Sequence, residues 1–247
     1  MGGFLEMSGH SKWSNIKRKK EKTDSQRAKI FTKIGRELSV AVKEGGSDPA
    51  SNSKLKDCIA KAKSNNVPND NIERIIKKAA GEGASNKYET ITYEGYGAGG
   101  IAFIVETLTD NRNRTASNVR YYFDKHGGNL GTTGCVSFMF SPKGIITVKN
   151  GNLTEEKIME DAINFGAMDF NFEEEESVII TQRENLYDVY QKLIDNKYKC
   201  TSAQIEMVPD NYIQISDEET KTKIETLIDV LEEDDDVQNV WNNLQEE

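Results

Sequence analysis

Several residue types are scarce in these 247 residues, and each scarcity excludes something. Three cysteines, Cys58, Cys135 and Cys200, stand far apart with no CxxC pair, so the thiols are read as free and in a reducing compartment. The two histidines, His10 and His126, have no ligand spacing to each other or to a cysteine, and no metal site is expected. No GK[ST] phosphate loop occurs. The longest apolar run, Ile101 to Val105, is far short of the ~20 residues of a membrane-spanning helix. The opening MGGFLEMSGHSKW lacks the apolar stretch and cleavage site of a secretory signal, and Met7 is a second candidate start. A chain of this length has room for two or three ordinary domains, and a cytoplasmic protein is expected.

What the chain has in excess is charge, unevenly placed. The formal net charge is −9, yet residues 1–80 hold 18 Lys and Arg against 9 Asp and Glu, whereas residues 145–247 hold 8 against 26. Between His10 and Arg36, ten basic residues face two acids, Glu21 and Asp24. A local cationic field, not the overall sum, decides attraction to phosphate. The basic end is therefore read as a nucleic-acid-binding surface, with solvated helix lysines as the plain alternative. The acidic runs Glu173–Glu176 and Asp234–Asp236 are read as solvated loops, or as a negative end that turns the basic end toward nucleic acid.

Residues 9–22 are basic with almost no hydrophobic period and read as an arm. Ile30, Phe31, Ile34, Leu38, Ala41 and Val42 then recur at helical spacing until Gly45-Gly46. Leu55, Cys58, Ile59 and Ala62 predict a second helix; Ile72, Ile75, Ile76 and Ala79 predict a third, with Asp70 and Glu73 as a capping box. Strand-forming runs over 88–93 and 101–108 flank GYGAGG, a hairpin. A helix over 112–126 and a strand over 135–140 follow. Between Pro142 and Pro209 the order strand-helix-strand-strand-helix-strand is ferredoxin-like. A strand over 212–215, a helix with a Ser216/Glu219 capping box and a strand near 237–241 close the chain. The expected fold class is multidomain, α and α+β. An arm over 1–22 precedes a three-helix bundle over 23–81 and an α+β domain over 82–142 plus 209–247. A ferredoxin-like α+β domain, 143–208, is inserted into the latter.

Candidate chemistry is sparse. GYGAGG fits GxGxxG at Gly95, Gly97 and Gly100, but it opens a strand rather than a helix, so no helix N-terminus meets a pyrophosphate. Cys58 and Cys135 lie on apolar faces, and His126 precedes Gly127-Gly128 at a helix end. An enzyme reading has no positive support; no cofactor, small-molecule substrate or membrane partner is expected. Two basic features remain. The arm and first helix offer Lys12, Trp13, Lys17, Arg18, Lys19, Lys20, Arg27, Lys29, Lys33 and Arg36 to phosphates, with Trp13 either stacking on an unpaired base or packing on the bundle. Lys29, Lys33 and Arg36 fall at i, i+4 and i+7, one stripe opposite Ile30, Ile34 and Leu38. In TDNRNRT, Arg112 and Arg114 stand at a helix start, where cations are unfavourable, and so point to a phosphate or to a carboxylate such as Glu94 or Glu106.

The motifs GHSKW (9–13), IKRKKEKTDSQRAKIFTKIGRE (16–37), YEGYGAGG (93–100), LTDNRNRT (108–115) and KHGGNLG (125–131) together resemble the YebC family. That family comprises bacterial YebC/PmpR proteins and the mitochondrial translational activator of cytochrome c oxidase. The resemblance implies a helical bundle and two α+β domains, one inserted into the other. It also implies a cytoplasmic, non-enzymatic regulator of gene expression, with nucleic-acid contact at Lys12, Trp13, Lys17, Arg18, Arg27 and Lys29. Bacterial members are described as transcriptional regulators that bind DNA; other descriptions place relatives on the ribosome, binding RNA and relieving stalls at proline-rich stretches. A protein-interaction adaptor, with the α+β domains as working surface, is the remaining class.

Overall fold

Hydrophobic stripes become helices where the sequence places them. The computed structural model describes residues 24–81 and 88–245; the expected arm over 1–22 lies outside them. Helices α1 (Asp24–Gly45), α2 (Ser53–Ser64) and α3 (Asn69–Ala80) close around Ile34, Leu38, Ala41, Leu55, Cys58, Ala62 and Ile72. The α1–α2 corner is fixed by Asn52, which is buried. Its Oδ1 accepts from the Leu55 N–H, capping α2, while its Nδ2 donates to the carbonyls of Ala41 and Gly46 at 2.7 and 2.8 Å. Helix α3 starts directly behind Pro68 (φ −59°) with no side-chain cap. The expected Asp70/Glu73 box is thus not formed, and Asp70 acts as a first-turn acid on the helix dipole.

The remaining order is β1 (Glu89–Tyr96), β2 (Ala102–Thr109), α4 (Arg112–Lys125), β3 (Asn129–Leu130), β4 (Phe140–Lys149), α5 (Glu155–Phe165), β5 (Asp169–Phe172) and β6 (Glu176–Gln182). Then come α6 (Leu186–Asp195), β7 (Lys199–Pro209), α7 (Glu218–Glu233) and β8 (Val237–Asn242). The chain divides into two compact units, Thr23–Ser141 with Met207–Gln245, and Pro142–Glu206.

In the first unit the bundle is joined by a sheet of order β3-β1-β2-β8, with β2 antiparallel to both β1 and β8. One face of this sheet buries Phe103 and Val105 against Val119 and Phe123 of α4 and Ile224, Leu227 and Leu231 of α7. Phe103 and Phe123 meet edge to face at 5.6 Å. GYGAGG is the hairpin turn between β1 and β2, closed by the Gly97 N–H to the Ile101 carbonyl at 2.8 Å. Its glycines serve close approach: a Cβ on Gly95 would stand 2.5 Å from the Asn129 carbonyl oxygen of β3.

The second unit has sheet order β5-β6-β4-β7 with α5 and α6 packed on it, the ferredoxin-like arrangement. Thr154 caps α5, its side chain accepting from the Lys157 N–H, and Gly166 ends it in a left-handed conformation (φ +109°). Pro142 falls inside β4, ahead of the ladder with β6, which begins at Lys143.

Three further expectations are corrected. Residues 135–139 are not a strand: Ser137–Met139 is a short 3-10 turn, because the Glu94 carboxylate takes the N–H groups of Gly134, Val136 and Ser137 that a ladder would use. The strand over 212–215 reduces to a single bridge, Ile213 with Leu244. Helix α7 is capped by Asp217, whose carboxylate accepts from the Thr220 N–H at 2.9 Å, rather than by Ser216 with Glu219.

Gly95→Ala is expected to lower stability by about 1–3 kcal/mol, since β1 and β3 must part to admit one methyl. The measurement is the urea midpoint; an unchanged midpoint contradicts the packing described.

Candidate nucleic-acid interface

The stripe of α1 is where the sequence predicts it, but it faces protein. Lys33 Nζ donates to the Glu232 carbonyl at 3.0 Å and Lys29 Nζ to the Glu233 carbonyl at 3.3 Å. Arg36 Nη1 donates to the Asp235 carbonyl at 2.5 Å and to Asp236 Oδ1 at 3.2 Å, and its guanidinium lies 5.6 Å from the Tyr88 ring centroid. The acceptors are the last carbonyls of α7 and the turn after it, the negative end of the helix dipole.

Asp236 is the centre of this arrangement. Its side chain is 6% exposed. Its Oδ2 accepts from Arg114 Nη2 at 2.6 Å and Nε at 3.2 Å, from the Thr115 hydroxyl at 2.8 Å and from the Thr109 hydroxyl at 3.1 Å. Burial opposes ionisation, but these donors outweigh it and hold the Asp236 carboxyl below the ordinary carboxylate range. The flanking Asp234 accepts from the Asn118 amide and the Tyr122 hydroxyl of α4. Burial first, and then Asp234, push the Tyr122 phenol up to about 12. The run 234–236 is therefore not the solvated loop expected; it is a receptor for cations. Nothing in its sequence distinguishes the buried Asp236 from the exposed Asp235 beside it.

Helix α4 begins at Asn111, whose side chain accepts from the Arg114 N–H. That cap aims Arg114 at Asp236 and at Asp110 (3.1 Å), while Arg112 forks onto Glu89 at 2.7 and 3.3 Å. Both arginines have carboxylate partners, though not the two weighed from sequence. Glu94 is occupied by the backbone of 134–137, and Glu106 accepts from the Asn239 amide. At Glu94, too, burial opposes ionisation, and three N–H donors more than offset it, so its carboxyl lies below the usual value.

An open cleft of about 600 Å³ lies between α1, the start of α4 and the acidic turn, lined by Lys29, Arg36, Tyr88, Asp110, Arg114, Asn118 and residues 233–236. Cations and carboxylates share its walls. Lys12, Trp13, Lys17, Arg18, Lys19 and Lys20 lie outside the described residues, and Arg27 is placed on α1 without a described side chain. The sequence reading passed over Lys56 and Lys63 on α2 and Lys78 on α3, which are exposed and make no ion pair or side-chain hydrogen bond among the described residues. Lys56 and Lys63 share a helical line away from Leu55 and Cys58, a spacing the sequence displays.

The thiols are poorly suited to nucleophilic work. Burial raises Cys58 and Cys200 to about 12, with Glu37 adding to the effect at Cys58, and burial also raises Cys135. Among the described residues, no group of His, Cys, Asp and Glu is arranged to hold a metal ion, and no helix is long and apolar enough to cross a membrane.

Residues 11–82 match the domain model described as "TACO1/YebC protein N-terminal domain", and residues 88–244 match "TACO1/YebC second and third domain". A Clostridium botulinum protein named "Probable transcriptional regulatory protein" is 56% identical over 238 residues, 96% of each chain. An Acetivibrio thermocellus protein of the same name is also 56% identical, over 96% of this chain and 98% of its own. The crystal structure of a conserved hypothetical protein from Aquifex aeolicus superposes with a TM-score of 0.82 at 47% identity, covering 94% of this chain and 96% of that one.

Two outcomes follow from Asp236. Asp236→Ala removes the acceptor that Arg114, Thr109 and Thr115 share and is expected to cost on the order of 3 kcal/mol in a urea melt; an effect within experimental scatter contradicts the hub. Asp236, Glu94 and Asp161, the last through bonds from Lys157 Nζ at 2.8 Å and the Tyr198 hydroxyl at 2.7 Å, all have carboxyls held below the ordinary range in the fold. Their contribution is present above the unfolded value of about 4 and is lost as pH falls through the depressed native values. The urea midpoint is expected to stay level from neutral pH to about 5 and to drop steeply below about 4; a drop on the alkaline side instead would reverse the assignment.

Proposed function

The chain belongs to the TACO1/YebC family, and from that premise we propose that it is a nucleic-acid-binding regulator of gene expression whose working surface is its basic N-terminal region. The observation that carries the reading is the charge asymmetry, 18 basic against 9 acidic residues over 1–80 in a molecule of net charge −9. Relatives more than 50% identical carry names of transcriptional regulators, which supports the same reading. Lys56, Lys63 and Lys78 add exposed cations on α2 and α3 of the bundle.

Contacts of this type neutralise phosphates and release counterions without reading bases, so binding is led by the backbone and weak in sequence preference. The same chemistry suits structured RNA, where shape and phosphates suffice, and a ribosome-associated role in translation is the second reading. Action in the cytoplasm, without cofactor or catalytic step, completes the proposal.

Reversing Lys17, Arg18, Lys19 and Lys20 to Glu is expected to weaken binding of duplex DNA and of ribosomal RNA by about ten-fold or more at ~0.1 M salt, and to flatten the slope of log affinity against log salt by about 3. Filter binding of both nucleic acids across a salt series measures this. Unchanged affinity for both would transfer the role to the α+β domains as a protein adaptor. Preference for one of the two separates the transcriptional from the translational reading.

A further inference from the structure

We propose that the acidic turn over 232–236 stands in for polyphosphate, so that the Lys29, Lys33 and Arg36 stripe of α1 is a phosphodiester-binding site that the chain keeps occupied until nucleic acid displaces the turn. The inference rests on the nucleic-acid reading above and adds to it a specific set of residues and their resting occupant.

Three observations carry it. The first is the match of ligands. Three cations on one helical line each meet an oxygen from a neighbouring residue of the turn: Glu232 for Lys33, Glu233 for Lys29 and Asp235 for Arg36. Three oxygens offered by one short acidic stretch to a cationic stripe are the kind of ligand a phosphodiester backbone supplies, and the stripe continues in sequence from the basic residues 12–22.

The second is the weakness of the seat. Both lysine contacts are single bonds to backbone carbonyls, made by half-buried side chains. Such contacts contribute little in water. Lys33 is moreover held where burial lowers its ammonium below the ordinary value, with Glu232 opposing that shift. A polyanion that also releases counterions competes well for cations held in this way.

The third is that the turn stays assembled when α1 leaves. Every donor on Asp236 Oδ2 comes from Arg114, Thr109 or Thr115, none from α1. The Asp236 N–H donates to Asp234 Oδ1, its carbonyl accepts the Leu108 N–H at 2.7 Å, and Asp234 remains bonded to Asn118 and Tyr122. Release exposes one carboxylate oxygen, Oδ1, to water; it does not strand a buried charge.

The test uses the intact chain and fluorescence anisotropy with two probes, a single-stranded oligouridine RNA and a mixed-sequence DNA duplex, over about 50 to 200 mM salt. Glu232→Gln, Glu233→Gln and Asp235→Asn together remove three carboxylates from the stand-in, among them Glu232 and Asp235 whose field acts on Lys33, and leave the carbonyl contacts and the Asp236 hub in place. The triple variant is expected to bind at least about five-fold tighter, with a salt slope steeper by about 1.4–1.8, two further phosphates engaged. Adding Lys29→Gln and Lys33→Gln is expected to undo that gain, whereas the same two lysine changes in the native chain cost less than about half as much in log affinity. A gain with RNA alone or with duplex alone identifies the source of the phosphate. Equal affinity and slope for the native and triple-neutralised chains, or equal lysine losses in both backgrounds, overturns the inference while leaving the proposed function standing. Failure of the native chain to bind either probe overturns both.

Discussion

Placing a carboxylate out of water costs several kcal/mol unless every lone pair finds a donor, and Asp236 is where this chain meets that demand. Its partners come from β2 (Thr109), α4 (Arg114 and Thr115) and α1 (Arg36), two stretches of chain, 109–115 and α1, that are remote from each other and from Asp236 in sequence. The surrounding backbone obeys the same constraint. Because the Asp236 carbonyl accepts from Leu108, the start of β8 is held beside the end of β2, and the ladder there takes a register shift between Glu106 and Thr107. The bundle, the sheet and the helix layer of the first unit are thus brought to one ionised group.

This hub changes the meaning of the charge segregation. In one dimension the chain has a cationic N-terminal third and an anionic C-terminal part. In three dimensions, part of each meets the other along α1 and the end of α7, and lysines sit on carbonyls at a helix C-terminus where the dipole favours them. The field available to a polyanion is therefore not the sum over residues 1–80. It is what is left after the seam is closed, plus whatever opening the seam returns.

Much of the fold was legible because burial selects every third or fourth residue on a helix and every second on a strand. Ile34, Leu38 and Ala41, Leu55 and Cys58, and Ile224, Leu227 and Leu231 are all inward as their spacing requires. The misreadings share one cause, a side chain or ring competing with backbone pairing. Glu94 takes the N–H groups of 134–137, so a strand-like run becomes a turn; Pro68 shapes the start of α3, so a good capping box stands idle; Asp217 caps one residue later than Ser216. At the candidate site, the cationic stripe was readable from periodicity, but its partner was not, since 199 residues separate Arg36 from Asp235. For Arg112 and Arg114 the reading turned to Glu94 and Glu106, while Glu89 and Asp236 are the carboxylates the fold delivers.

The motifs that carry the family likeness divide accordingly. YEGYGAGG and KHGGNLG pack on one another: Gly95 lies against Asn129, Gly128 lies against the Tyr96 carbonyl, and the Glu94 between them organises the following turn. TDNRNRT supplies Thr109, Asn111, Arg114 and Thr115 to the Asp236 hub. Those three motifs are thus consumed by folding, and their glycines and arginines have intramolecular reasons to be what they are. The α1 lysines have less of such an account: Lys29 and Lys33 each rest on a single backbone carbonyl, while Arg36 also shares Asp236 with the hub. Residues that a fold does not need are the ones whose chemistry a ligand must explain, and lysines in series are chemistry for phosphate.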